Sequence, residues 1–444
     1  MRGVGEVLSE FLANLKYSDI PADVAEYAKM LTLKTIASMV IGSTTRQSRT
    51  MTRIIKGRKL PGEVGVITKR FKTAAWEGTF LNSFFAHASE LEDDIPADGV
   101  SWDITVIPAA LMAAQKFGIS GKDLLVSIVG GLEVHTRTAM FPTQHIGLGI
   151  VPPAIGPAAA VAKAINLSAE QIRYAFGLSL SGNAGTDVNF GFDTHFFESS
   201  MQAMHGFMAA EAAKENLTGN PAIEKYLINL LGKDYVKPEA MVDGLGARWR
   251  LKQIWIKKYP FAFPTHRHID ALLELIKENG IKYNDVTEVE VHVTVPEAER
   301  FSRPNPISEI DMQYSFEHPL AAALVYGDVN FDHVGRDALY NPLLAQARSR
   351  IKVIPHPEWP AKDFGGPARV VVKTKDGRTL IRERMVAIGS PQEPLTLEQL
   401  KGLFVKYTSG VLKDSQITSI TDMILNMEKL PDVEELMNIL TYLP

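Results

Sequence analysis

The chain of 444 residues contains 0 cysteines. That absence excludes disulfides, zinc–thiolate sites, iron–sulfur clusters and thiol nucleophiles. There is no long basic run, and the formal net charge is -4, so a nucleic-acid surface is not expected. There is no long apolar run either. The longest uncharged stretch, Ile146 to Ala162, is broken by three prolines and several glycines, so no membrane span is expected. The opening "MRGVGEVLSEFLANLKYSD" reads as an amphipathic helix, not a signal peptide. A cytoplasmic location is therefore the expectation. Nucleotide and hydrolase signatures are also missing. "GLSLSGNAG" has no Lys-Ser/Thr after it, and neither G-x-S-x-G nor H-E-x-x-H occurs.

What is present is an ordinary globular composition, 45% hydrophobic and 22% charged. The length suggests two domains. Up to about residue 260 the pattern is helical. "DIPADVAEYAKMLTLKTIASMVIG" opens with a Pro-containing start and ends at Gly42. Gly118 closes one later helix and Ser120 is placed to cap the next. Asn166 and Ser168 repeat that stop-and-cap design. After residue 280, "VTEVEVHVTV" alternates as a half-buried strand. "ARVVVKTKDGRTLIRERMVAI" reads as a hairpin turning at Asp376-Gly377, and "SRIKVIPH" as a further strand. The tail from "TLEQLKGLFVKYTSG" is helical again. The expected fold is mainly α. Residues 1–265 with 396–444 would form a large all-helical domain, and 266–395 a smaller α+β lid domain.

Two segments carry candidate chemistry. In "FFAHASELEDDIPADGVSWD" one histidine accompanies six acidic residues. A solvated loop is the plain reading. The spacing of Glu90, Glu92, Asp93 and Asp94 matches no EF-hand, although oxygen ligands would suit a hard cation. A carboxylate in an apolar cleft would instead serve acid/base work. In "DTHFFESSMQAMHGFMAAEAA", His195, Glu198, Gln202 and His205 fall within an arc of roughly 80° at about 100° per residue. Phe197, Met201, Met204 and Met208 occupy the other side. Either that stripe is a solvated polar face or it lines a cleft. "THRH" gives an H-x-H pair, for which a structural or substrate role is a better reading than a metal.

Several segments taken together resemble the 2-methylcitrate dehydratase (MmgE/PrpD) family, which includes 2-methylcitrate dehydratase, cis-aconitate decarboxylase and iminodisuccinate epimerase. "LKYSDIPADVAEYAKMLTLKTIASMVIGS" is similar to the family's opening helix pair, and "FAHASELEDD…VIPAALMAAQKFGISGKDLLVSIVGGLEV" to its acidic loop and the helices after it. "KKYPFAFPTHRHIDALLEL", "DMQYSFEHPLAAALVYGDV" and "GSPQEPLTLEQLKGLF" follow in the family's order. The resemblance implies a helical domain made from both chain ends, a lid domain, a homodimer, an inter-domain active site, a small-molecule substrate, and no cofactor or metal.

The departures are local. The family's acidic loop reads H-A-x-D-[FY]-D-D-[TS]. Here Glu90 replaces the first Asp and Asp94 the Thr or Ser, and a later histidine position falls near Ser101. The histidine of the family's G-x-H-P-[TS] turn has its nearest counterpart in His145. The T-K-x-L-H helix start becomes Thr194 to Glu198, so His195 stands for the Lys and Glu198 for the His. Lys257 and His266 match family positions, Phe261, Ala262 and Phe263 replace a polar residue between them, and His318 stands where the lid tyrosine is usual. Members transfer a proton beside a carboxylate, then lose water or CO2 or return the proton. The resemblance therefore implies His195, His145, Glu90, Asp94 and His318 as acid/base candidates. It implies Lys257, His266, Ser101, Glu198 and Phe263 as substrate-binding candidates. Carboxylates and phenyl rings in place of cations point to a less anionic substrate. The expected function is a diverged lyase or isomerase. A family-typical dehydratase or decarboxylase and a non-enzymatic dimeric scaffold are the alternatives.

Overall fold

The computed structural model describes residues 2–96, 100–101, 103–139, 154–182, 185–360 and 366–442. The chain divides into two compact units, Met1–Ile254 with Thr396–Pro444, and Trp255–Leu395. Residues 255–265, placed with the large domain in the sequence reading, thus fall in the second unit.

The first unit is helical. Helix Ala22–Gly42 starts after Pro21 and is buried along most of its length. It packs on helix Ala75–Ala88 and, from the far end of the sequence, on helix Leu397–Thr408. Gly42 is what allows the first of these contacts. A Cβ there would lie 1.8 Å from Phe85 O, so only glycine permits that approach. The caps form as the sequence indicates. Ser120 accepts from Asp123 N ahead of helix Gly121–Thr138, and Ser168 accepts from Gln171 N ahead of helix Ala169–Leu180. Gly118 and Asn166 adopt the left-handed backbone that stops the preceding helices. The tail is fastened by Lys29 Nζ on Glu428 Oε2 at 2.8 Å and by Thr68 N donating to Leu440 O. None of the described helices is long and apolar enough to cross a membrane.

The second unit is built on a four-stranded sheet in the order Ile351–His356, Val286–Thr294, Ala368–Thr374, Thr379–Arg384. The first pair is parallel and the others antiparallel. Val289, Val291 and Val293 are fully buried, whereas the alternate residues Glu288, Glu290 and His292 are half-buried on the other face. Helix Thr265–Asn279 packs on the last two strands, and helix Glu317–Tyr326 packs on that helix. Asp376 and Gly377 make the hairpin turn, with Gly377 at φ 85°.

Candidate active site

The first-unit candidates converge where helix 75–88 ends. His87 sits in its last turn and is fully buried. The chain then turns sharply, with Glu90 at φ 56°, a left-handed backbone that a non-glycine residue rarely adopts. Glu90, Glu92 and Asp93 are buried and Asp94 is half-buried. The solvated-loop reading therefore fails. Its physical reason is a buried network beneath the loop. Lys34 Nζ meets Asp93 Oδ1 at 2.8 Å and donates to Leu91 O. Asp93 N donates to Asp103 Oδ1 at 2.9 Å, and Thr35 Oγ1 lies 2.7 Å from Asp103 Oδ2. Burial first, and the nearby Asp93 charge second, push the Asp103 carboxyl up to about 7. Beyond the loop, Asp94 and Ser101 are direct partners on a short antiparallel pair, so two candidates lying seven positions apart are brought face to face.

Helix Asp193–Lys214 supplies the other wall. His195 and Gln202 are buried, whereas Phe197 and Met201 are exposed. The solvated-polar-face reading is thus also overturned, because the polar stripe turns inward. His87 and His195 lie edge to face with ring centroids 4.4 Å apart, and Phe190 and Phe196 enclose them. His87 Nδ1 is 2.7 Å from Ser199 Oγ, and that hydroxyl donates to Phe196 O at 3.0 Å. Ser199 has one hydrogen, so the imidazole donates through Nδ1–H and Nε2 is the basic nitrogen. Glu198 is held by Asn189, and burial raises its carboxyl above the usual range. His87, Glu90 and Glu92 each offer a ligand atom within 4.8 Å of the others. That set suits either proton transfer or a divalent ion. His87, Ser199, Glu92 and Asp103 were not among the residues given an acid/base or substrate-binding role from the sequence. The one available signal was the histidine opening the H-A-x-D-like stretch.

The second-unit candidates form their own group. Lys257 is fully buried. His266 lies between Tyr259 and Phe263, stacked on Phe263 at 5.6 Å and 16°, and its Nε2 donates to Phe261 O at 3.1 Å. The Phe263 ring, which stands in the stretch that replaces a polar residue, thus forms one wall around this imidazole, and the Phe261 ring lies against His318 instead. His318 is placed differently. Its Nε2 donates to His333 O at 2.8 Å and its Nδ1 accepts from Arg348 at 3.0 Å. Both nitrogens are engaged, and burial drives the ring down to about 4, so it is neutral. In this arrangement His318 braces the unit rather than presenting a nitrogen to a substrate. His145 lies outside the described residues.

Residues 6–225 match the MmgE/PrpD N-terminal domain, and residues 259–429 match the MmgE/PrpD C-terminal domain. The chain belongs to the MmgE/PrpD family. Among curated family relatives, it is 25% identical to the cis-aconitate decarboxylase-like protein oryM of Aspergillus oryzae, over 98% of this chain and 96% of that protein. It is 23% identical to the cis-aconitate decarboxylase of Homo sapiens over 99% of this chain and 95% of that protein, and 23% identical to that of Mus musculus over 99% and 94%.

Proposed function

We propose that this family member is a diverged lyase or isomerase. It would abstract and return a proton beside a carboxylate or carbonyl, without a metal, on a substrate less anionic than a tricarboxylate. One observation carries the reading. Two buried imidazoles, His87 and His195, share a site with buried Glu90 and Glu92, while the lysine under the same loop, Lys34, is paired with Asp93. Imidazole and carboxylate groups move protons near neutral pH. Carboxylates beside a polyanion would repel it, so the set favours a substrate with few charges. His195 and His87 are the acid/base residues of this reading, with Glu90 and Asp94 orienting them. Lys257 and His266 hold a carboxylate or carbonyl. Two buried carboxylates facing an imidazole are costly to keep, which argues against a scaffold that has lost its chemistry. A homodimer belongs to the same proposal. A solution mass of 48.9 kDa, the mass of one chain, would remove that part.

A decarboxylase acting on cis-aconitate or a similar tricarboxylate is the second reading, favoured by the names of the relatives. Both are tested by incubating the protein in deuterated water with cis-aconitate, 2-methylcitrate and a panel of mono- and dicarboxylates, followed by NMR. Solvent deuterium entering a less charged acid is the expected result. Higher kcat/KM on cis-aconitate or 2-methylcitrate than on any panel member would reject the first reading in favour of the second.

A further inference from the structure

A cluster of cations on the first unit shares no residue with the candidate active site. Helix Arg46–Gly57 carries Arg49, Arg53 and Lys56, and steps of four and then three positions set them on one side. With Thr52, Gly57 and Lys69 they line an open cavity of about 380 Å³, within the size range of small-molecule sites. Lys69 reaches it from a strained turn. Thr68 before it has φ 64° and Arg70 after it φ 58°, a left-handed backbone in two residues that are not glycine. Thr68 N donates to Leu440 O at 2.7 Å and Arg70 N to Thr441 O at 3.0 Å, so the last helix, Glu434–Thr441, holds the turn. The side chain is held as well. Lys69 Nζ donates to Ser43 O at 2.8 Å and lies 5.4 Å from the centre of the Phe85 ring. Lys56 Nζ lies 5.5 Å from the centre of the Phe71 ring. Both ammonium groups are thus positioned by aromatic faces.

The surrounding cations are neutralised, and these four are not. Arg46 pairs with Asp193, Arg58 with Glu77 and Lys72 with Glu434. Among the described residues no carboxylate lines the cavity, and none pairs with Arg49, Arg53, Lys56 or Lys69. Arg49 is close enough to act on Lys69. Burial first, and that charge second, pull the Lys69 ammonium down to about 8. Four like charges around one cavity repel one another, and an anion between them removes the repulsion.

We propose that this cavity binds a small molecule carrying a diphosphate group, with the guanidinium forks of Arg49 and Arg53 on its oxygens and Lys56 and Lys69 meeting it as point charges. A diphosphate matches the charge of four cations better than a single carboxylate or phosphate does. The occupant is small because the positive field stops at the cavity. With Arg46, Arg58 and Lys72 already paired, a nucleic acid or an anionic lipid surface finds no longer basic track here. The site uses none of the proton-transfer residues, so it stands independently of the lyase or isomerase reading.

The test titrates sodium pyrophosphate into the full chain in a calorimeter at about 0.15 M salt, where loose attraction is screened within about 8 Å. Saturable one-to-one binding is expected. Arg49→Gln and Arg53→Gln should each weaken it by about tenfold or more, and the double variant should abolish it. Lys72→Gln, which removes a paired cation nearby, should leave the affinity within about twofold. Circular dichroism checks that each variant folds. Absence of saturable binding overturns the proposal, including the case in which phosphatidylserine vesicles bind instead. Sodium sulfate binding as tightly as pyrophosphate overturns the diphosphate assignment. Binding that survives in the folded double variant also overturns it, and its loss in Lys257→Gln would then place the anion with the candidate substrate-binding residues.

Discussion

Replacing Asp103 with asparagine tests the network that holds the acidic loop. Asp103 is fully buried at the first position of helix Asp103–Phe117. Its Oδ1 accepts from Asp93 N, and its Oδ2 lies 2.7 Å from Thr35 Oγ1, which is itself 2.8 Å from Leu31 O. Thr35 has one hydroxyl hydrogen for two acceptors, so a protonated Asp103 satisfies both contacts. It donates to Thr35, and Thr35 donates to Leu31 O. Burial first, and the Asp93 charge second, raise this carboxyl from 3.8 to about 7, which corresponds to roughly 4 kcal/mol. The folded state binds the proton more tightly than the unfolded chain does. The stabilisation is therefore fully present below pH 4 and is lost as pH rises through 7. Asparagine keeps the acceptor for Asp93 N, offers an N–H to Thr35 and cannot ionise. Asp103→Asn should match the unchanged protein at pH 4 or below, and its advantage should grow from roughly 1.6 kcal/mol at pH 5 to about 4 kcal/mol near pH 8. Urea unfolding of both proteins at pH 5, 6, 7 and 8 reads the difference. A variant destabilised equally at every pH would show that Asp103 is an ordinary ionised carboxylate, and the reasoning would fail.

Three further outcomes are expected. His195→Ala and His87→Ala should each lower kcat/KM on the true substrate by about 10²-fold or more with the circular dichroism unchanged; full turnover in both would remove the acid/base assignment. Lys34→Met removes the cation paired with buried Asp93 and should cost about 3–5 kcal/mol in urea unfolding; a neutral result would mean the loop does not depend on that pair. A chelator should leave turnover unchanged. If activity fell and a divalent ion restored it in the unchanged protein but not in Glu92→Gln, the set His87, Glu90 and Glu92 would be a catalytic metal site.

Local rules made much of the fold readable. Ser120 and Ser168 cap helices because a hydroxyl after a glycine or asparagine stop is a short-range signal. The Asp376-Gly377 turn and the alternation of Val286–Thr294 are equally local. The site was less readable. Periodicity groups His195, Glu198 and Gln202 on one side of a helix, but it does not say whether that side faces water. The burial of Glu90 and Asp93 depends on Lys34 and Asp103, on helices well before and just after the loop. The His87–Ser199 contact joins positions 112 apart, and no spacing rule reaches that far. The two nitrogens of His318 are occupied by His333 and Arg348, partners that no single-position reading would supply.

The first unit is closed by the last helices of the chain, with Leu397–Thr408 seated on Ala22–Gly42. During synthesis, helix Ala22–Gly42 therefore waits with an apolar side uncovered while the whole of 255–395 emerges and can fold first. The second unit can thus mature while the first is still incomplete. Lys34, which anchors the acidic loop, belongs to that waiting helix. Assembly of the candidate site is thus coupled to the arrival of residues that emerge after the second unit.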